Sequence, residues 1–243
     1  DDLEEVVWEP YHKDGPGRPP RSPLGIFKAL IVKKVRSIPS DRELYRRLWS
    51  SPKLREICDI EDYEKPYHPS QLTRFRQRVG PERLERIMNS ILSKLVDAGV
   101  VKGEIIACDA TFIKAYSKRD PHDDSRGYSD PEARVGRAGK TYELGYRLHL
   151  AVDSASELPL AFTVAPANEN EKKHAPKILE KAVEATHGKA KVFVADSQYS
   201  SQRFRRKISS RGVEPVIPYP AKQRPKEAEF LRVDKRFRTH GPF

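Results

Sequence analysis

The sequence predicts a mixed α/β protein, with an all-helical domain over residues 1–100 and a mixed five-stranded sheet with flanking helices over residues 101–243. Three observations carry this reading. Before residue 100, apolar side chains recur at three- and four-residue steps, the spacing of one helix face. After Gly103, short β-favouring runs alternate with helical stretches, as layered α/β domains do. Two of those runs, Ile105-Ile106-Ala107-Cys108 and Val192-Phe193-Val194-Ala195, end on an aspartate, Asp109 and Asp196.

The helices come first. Ser22-Pro23 supplies a cap and a first-turn proline for a helix carrying Leu24, Phe27, Ile31, Val35 and Ile38. Ser40-x-x-Glu43 is a capping box that opens a second helix, with Leu44, Leu48 and Trp49 on one face. Ser51-Pro52 opens a short third one with Leu54 and Ile57. A polar, aromatic linker from Glu61 to His68 leads to a helix that turns Leu72, Phe75 and Val79 inward and Arg74, Arg76 and Arg78 outward. Gly80-Pro81 ends it. The last helix runs from Pro81 to Ala98 with Leu84, Ile87, Met88, Ile91, Leu92 and Leu95 in register, and Gly99 closes it.

Residues 104–114 then read as a strand. Leu144 to Val152 reads as a second, with Tyr146, Leu148, Leu150 and Val152 on one face, and Leu158 to Val164 as a third. The turn Asp153-Ser154-Ala155-Ser156 makes the last two a hairpin. A helix over Glu171–Thr186 with Ile178, Leu179, Ala182 and Val183 inward, a strand over Lys191–Ala195, a helix over Ser200–Ser210 and a strand over Val213–Pro218 complete the order. Strand, hairpin, helix, strand, helix, strand is the order of a ribonuclease-H-like core. In that topology the ends of the first and fourth strands are neighbours, which brings Asp109 and Asp196 together across 87 positions. An ionised carboxylate beside a sheet core is costly unless it is paired or holds a cation, so two such acids point to a metal site; each alone also fits a turn cap. Carboxylates roughly 4–7 Å apart would share a cation, and their mutual repulsion would raise the pKa of at least one of them.

Charge narrows the partner. With 46 Lys+Arg against 35 Asp+Glu, the formal charge is +11, which favours a polyanion and nucleic acid first. No apolar stretch approaches the roughly 20 residues that cross a bilayer, so no membrane partner is expected. Two cysteines, Cys58 and Cys108, are too few for a disulfide framework or a four-ligand zinc site. Arg18 and Arg21 in Gly15-Pro16-Gly17-Arg18-Pro19-Pro20-Arg21 would suit a minor-groove hook, against the plainer reading of a Pro-rich lead-in. The Arg74, Arg76, Arg78 face, beside Gln71, Thr73 and Gln77, suits a recognition helix or simply a solvated face. Ser117–Lys140 lacks periodicity and reads as a loop that orders on DNA, and His149 and His174 flank the acids or serve the core.

Four blocks, Ala107-Cys108-Asp109-Ala110-Thr111, Gly145-Tyr146-Arg147-Leu148-His149, Ala167-Asn168-Glu169-Asn170-Glu171 and Ala195-Asp196-Ser197-Gln198-Tyr199, resemble in order and spacing those of prokaryotic insertion-sequence transposases of the DDE type. Gly17-Arg18-Pro19-Pro20 and Ser40-Asp41-Arg42-Glu43-Leu44 are similar to that family's N-terminal helical domain, so the resemblance runs from about residue 15 to the end. It implies a DNA transposase of the prokaryotic cytosol and nucleoid, with metal-dependent phosphodiester hydrolysis and strand transfer at insertion-sequence ends. It implies Asp109 and Asp196 as the first two acids of a catalytic triad holding two Mg²⁺ or Mn²⁺ ions. Double-stranded DNA, both terminal inverted repeats and target, would be the partner, bound by a homo-oligomer.

The family's third acid, a glutamate on a helix after the fifth strand, does not appear before Gly241-Pro242-Phe243. Glu227 and Glu229 follow that strand without the family's tyrosine and arginine partners. The expectation is a chain truncated before the third acid, which binds element DNA and cuts it poorly. A catalytically inactive derivative occupying element ends, and a ribonuclease-H-like nuclease unconnected with transposition, are the alternatives. A tyrosine nucleophile, for which Tyr199 near Arg203 would be the candidate, lacks the His-x-His pair of such nucleases.

Overall fold

The computed structural model describes residues 2–11, 20–118, 122 and 127–220. They form two compact units, Asp1–Ile91 and Leu92–Phe243. The division lies inside the last long helix rather than at residue 100, because Leu92 and Val96 are buried in the core of the sheet unit with Val101 and Ile106.

In the helical unit, α1 spans Asp2–Trp8, α2 Pro23–Val35, α3 Asp41–Ser50, α4 Pro52–Ile57 and α5 Pro69–Asp97. Local chemistry sets three of the starts. Ser22, Ser40 and Ser51 each turn Oγ back to accept an amide three residues on, from Gly25 (3.2 Å), Glu43 (3.1 Å) and Leu54 (3.4 Å). Gly80, at φ 71°, breaks α5 into two helical segments just before Pro81, whose ring restricts the residue that precedes it. Helix α1 was not anticipated; seven residues with Val6 and Val7 inward are too short to show a period.

The buried face of α2 also differs from the one that periodicity predicts. Ile26 and Ala29 are buried, whereas Ile31 and Val35 are 46% and 76% exposed. The reason is a close approach at Gly25: a Cβ there would lie 2.1 Å from the Tyr67 hydroxyl and 2.6 Å from the Cys58 carbonyl oxygen. Tyr67, itself buried, donates to that carbonyl at 2.9 Å. The helix therefore packs through its small residues and turns larger ones outward. Trp49, Ile57, Leu84 and Ile91, read as inward, are likewise exposed.

The sheet unit contains β1 (Ile105–Lys114), β2 (Arg134–Ala138), β3 (Thr141–Asp153), β4 (Pro159–Pro166), α6 (Glu171–Ala185), β5 (Val192–Ala195), α7 (Gln202–Ser209) and β6 (Glu214–Val216). β1 pairs antiparallel with β3 and parallel with β5, β5 pairs parallel with β6, and β4 covers the outer edge of β3. That is the ribonuclease-H-like order. The sheet has six strands rather than five, because β2 folds back on the start of β3 through a two-residue turn, Gly139-Lys140. Gly139, at φ 65°, supplies the positive φ such a hairpin needs. β2 lies in the segment read as loop: Arg134 and Arg137 interrupt a run too short to show alternation.

On β3 the fully buried positions are Gly145, His149, Ala151 and Asp153, whereas Tyr146, Leu148, Leu150 and Val152 are only partly covered. Ala151 and Ala161, paired across β3 and β4, share a core with Ala175, Ile178, Leu179 and Ala182 of α6. Small side chains on the strands let the helix come close, and that selects the face.

Candidate active site

The two aspartates sit at one place in this sheet. β1 and β5 run parallel with Cys108 opposite Ala195, so the next residue of each strand is the acid. β1 continues past Asp109, held by β3 with Leu150 opposite. β5 stops at Ala195, and the chain turns into one 3₁₀ turn, Ser197–Tyr199, whose cap is Asp196. Asp196 Oδ1 accepts the Gln198 amide at 2.9 Å, and Asp109 Oδ1 accepts the Ala110 amide at 2.7 Å. Asp109 is exposed and Asp196 half-buried. Burial raises the pKa of Asp196, the Gln198 amide offsets part of this, and the charge of Asp109 raises it further.

Behind the acids lies a buried polar cluster. Tyr199, which ends the turn begun by Asp196, is 1% exposed and places its hydroxyl 2.8 Å from His149 Nδ1. The same hydroxyl lies near the thiol of Cys108, the residue before Asp109. One phenol thus ties together the two acid-bearing segments and β3. The His149 ring stacks on His174 of α6 (centroids 5.1 Å apart, planes at 28°), and His174 Nε2 lies 2.6 Å from Glu169 Oε2. Burial pushes His149 down to about 4, helped by the charge of His174, so its ring is neutral at physiological pH. Among the described residues its Nε2 has no hydrogen-bond partner. Burial also pushes the Cys108 thiol up to about 12, which leaves it a packing residue rather than a nucleophile. Beside this cluster Arg147 of β3 forms an ion pair with Glu171 at the start of α6, both side chains largely buried.

The blocks Gly145–His149, Ala167–Glu171 and Ala195–Tyr199 meet in this cluster. For His149 and His174 the sequence offers two readings, flanking the acids or a hydrogen-bonded place in the core, and their stacking and hydrogen bonds fit the second; the parts played by Tyr199, Arg147 and Glu171 are not among its readings. A signal existed: Arg147 and His149 alternate on one face of an otherwise apolar strand, where a polar side chain requires a partner.

The arginines fare differently. Arg21 donates to Glu64 Oε2 (2.9 Å) and to the Lys65 carbonyl (2.5 Å) and lies 4.3 Å over the Tyr67 ring, so it braces the helical unit. Arg76 is paired with Asp41 at 2.5 Å, and Arg78 lies 5.2 Å over the Tyr11 ring. Arg74 is exposed and has no ion pair among the described residues. Arg18, Glu227 and Glu229 lie outside the described residues, as do residues 119–121 and 123–126 of the Ser117–Lys140 segment.

Residues 101–242 match the family described as Transposase DDE domain, which is more than half of the chain. The chain belongs to that family. Residues 1–78 of this DDE-family chain match a second family, described as Transposase domain (DUF772). Among solved structures it is similar to piggyBac transposase in a synaptic complex with hairpin DNA, at 10% identity and a TM-score of 0.44, over 95% of this chain and 49% of that one. It is also similar to Mos1 transposase in a paired-end complex with the left transposon end (12% identity, TM-score 0.30, 87% and 63%). A third similarity is to a simian T-cell lymphotropic virus intasome bound to a PP2A regulatory subunit (20% identity, TM-score 0.30, 55% and 36%). The chain spans less than two thirds of the length of each of these three chains. No curated protein matches it. Among the described residues no helix is long and apolar enough to cross a membrane.

Proposed function

We propose that this chain carries the catalytic core of a DNA transposase, acting on phosphodiester bonds at the ends of an insertion sequence and joining them to target DNA. The observation that carries the reading is the register of β1 and β5, with Cys108 opposite Ala195, so that Asp109 within β1 and Asp196 just past β5 are the next residues of two paired parallel segments, in a chain of the DDE family. The donor set suits a hard divalent cation. Two carboxylates stand together, one of them raised by burial and by the other's charge, a state that a cation relieves. Among the described residues no group of three or more His, Cys, Asp or Glu side chains is placed to hold a metal, so the pair suits one hydrated ion. When bound, Mg²⁺ or Mn²⁺ would supply Lewis-acid stabilisation of the charge that develops on the phosphate and its leaving oxygen.

The chain's own residues orient and exclude. The Gln198 and Ala110 amides each hold one oxygen of an aspartate and so orient its carboxylate. Tyr199, buried and hydrogen-bonded to His149, fixes the end of the turn that Asp196 begins. No protein nucleophile is required, which agrees with the raised, unreactive Cys108 thiol. The basic excess, +11 over the chain, would draw in duplex DNA, and element ends would be paired by a homo-oligomer.

The test is nicking of duplex DNA taken from the flanks of the coding region, with Mg²⁺ or Mn²⁺ and with EDTA. Whatever nicking the chain gives should require Mg²⁺ or Mn²⁺ and disappear in Asp109→Asn and Asp196→Asn, with DNA affinity unchanged. Nicking that survives both substitutions would remove the acids from the chemistry. Tight binding without nicking would favour a protein that only occupies the element ends.

A further inference from the structure

The helical unit contains a concavity of about 730 Å³ that the acid pair does not explain. Its wall combines aromatic rings, Tyr45, Tyr63 and His68, with the cations Lys65, Arg74 and Arg78. One carboxylate, Glu64, also lines it, and that group is engaged by Arg21 at 2.9 Å. The wall is therefore net basic, and among the described residues neither Lys65 nor Arg74 has an anionic partner. Tyr45 is held edge-on by Trp49 (6.1 Å) and His68 (5.6 Å), a prearranged ring rather than a loose one. Tyr63 is 87% exposed, a large aromatic surface left in water at the rim.

Arginines that serve duplex phosphates work from a convex face, since a double helix cannot enter a concavity of this size. A volume within the roughly 300–1,000 Å³ of small-molecule sites, walled by rings and cations together, has the composition that holds a base by stacking and its phosphate by charge. We propose that this pocket receives a single unpaired nucleotide of a DNA strand, stacked against Tyr63 and Tyr45 and held by its phosphate at Arg74 and Lys65. The proposal rests on the DNA-binding reading above and adds to it a site for an extruded or single-stranded nucleotide, remote in sequence from the acids.

The experiment uses the full chain, two fluorescein-labelled duplexes of matched sequence, one fully paired and one with a bulged thymidine, and two unlabelled competitors, dTMP and the bulged strand. Anisotropy should show the bulged duplex bound at least about fivefold more tightly than the paired one. Tyr63→Ala, at a position too exposed to affect folding, should abolish that preference, a loss of roughly 5- to 150-fold for a stacked base, and leave paired-duplex affinity unchanged. Arg74→Ala should weaken the bulged duplex more than the paired one. A Lys34→Ala control, exposed on α2 and outside the pocket, should not alter the preference. With 2-aminopurine in the bulge, its emission should change on binding the native chain and not on binding the Tyr63 variant. Equal affinity for paired and bulged duplexes, or equal losses on both in Tyr63→Ala, would overturn the pocket while leaving DNA binding intact. Displacement of the bulged duplex by dTMP at lower concentration than by the unlabelled bulged strand would assign the site to a free nucleotide and overturn the strand-borne claim. Failure to bind any duplex would overturn the DNA reading itself, and the proposal with it.

Discussion

The two units of this protein handle charge differently, although the helical unit too buries Arg55, against the Glu61, Asp62 and Glu64 carbonyls. The sheet unit takes charged and titratable groups inside: Asp153 and His149 are fully buried, and Arg147 and Glu171 nearly so. The helical unit leaves most of its charges on the surface in adjustable pairs, such as Lys28 with Asp59 (2.8 Å), Arg47 with Glu43 (3.0 Å) and Arg86 with Glu9 (2.8 Å). A charge held by strand register has one position, and chemistry needs that. A charge on a long, solvated stem has many, which suits a polyanion met at varied positions. Each prediction below tests one side of this contrast, beginning with the buried charges.

The largest effect should come from separating Arg147 and Glu171. Removing one partner leaves the other charged and buried, which typically costs about 3–5 kcal/mol, so Arg147→Met should lower the urea midpoint sharply. Adding Glu171→Leu should recover much of the loss, because a pair of apolar groups of similar volume does not suffer an orphan charge. An exposed pair such as Lys28 and Asp59, broken in the same way, should change stability by about 0–1 kcal/mol. If both pairs cost the same, the contrast between the units fails.

Next is Tyr199→Phe. It removes only a hydroxyl, but that group serves His149 Nδ1, and among the described residues His149 Nε2 is already without a partner. Leaving a buried polar atom unsatisfied costs about 1–3 kcal/mol. Because the turn ending at Tyr199 begins at Asp196, Mg²⁺ affinity measured by titration should fall as well. Lost stability with unchanged Mg²⁺ affinity would make the phenol a core residue only.

Two aspartates of the sheet unit should titrate in opposite senses. Asp153 is buried, which alone would raise it, but Ser156 (Oγ 2.7 Å, amide 3.0 Å) and the Gly103 amide (3.0 Å) hold it below its ordinary value. Its contribution to stability is therefore present above the unfolded-state pKa, near 3.9, and is lost as pH falls through the lower folded value. Asp196 is raised, so its effect reverses: metal-free protein is destabilised above the raised folded pKa and regains stability as pH falls through it. Mg²⁺ should flatten the Asp196 limb and leave that of Asp153 unchanged. In metal-free solution at neutral pH, Asp196→Asn should melt higher than the native chain while no longer responding to Mg²⁺. A lower melting temperature would mean that the carboxylate is a structural cap rather than a group poised for a cation.

What was legible in the sequence follows from how local the physics is. The caps at Ser22, Ser40 and Ser51 depend on one oxygen and an amide three residues away, and all three formed. The strand order, and with it the meeting of β1 and β5, follows from alternation and turn chemistry. The buried face of α2 was not legible, because it depends on Tyr67 closing against Gly25 from 42 positions away. Nor was the cluster around Tyr199: its partners come from β1, β3 and α6, and a hydroxyl inside Ser-Gln-Tyr looks like any turn residue. β2 and α1 were missed because five and seven residues carry too little periodicity to separate strand or helix from loop.

The smallest effects should separate the arginines that the sequence placed together. Arg21, Arg74 and Arg76 are alike as charges, yet Arg21 is stacked and paired, Arg76 is paired with Asp41, and Arg74 stands alone among the described residues. Arg74→Ala should leave stability within about 0.5 kcal/mol, since no mechanism for a larger change is present. Its effect should appear in DNA binding: if it meets one phosphate, the slope of log affinity against log salt should become shallower by about 0.9. Arg21→Ala should do the reverse, lowering the thermal midpoint and leaving the salt slope in place, because its guanidinium is already taken by Glu64, the Lys65 carbonyl and the Tyr67 ring. Arg76→Ala should fall between the two, because freeing Asp41 adds a negative charge beside the binding face; Asp41 remains partnered by Lys33 at 2.6 Å, so the helix start itself should hold. Equal changes in salt slope for all three substitutions would mean that the pairs at Arg21 and Arg76 open on DNA, and the helical unit would then bind through every arginine the sequence points to.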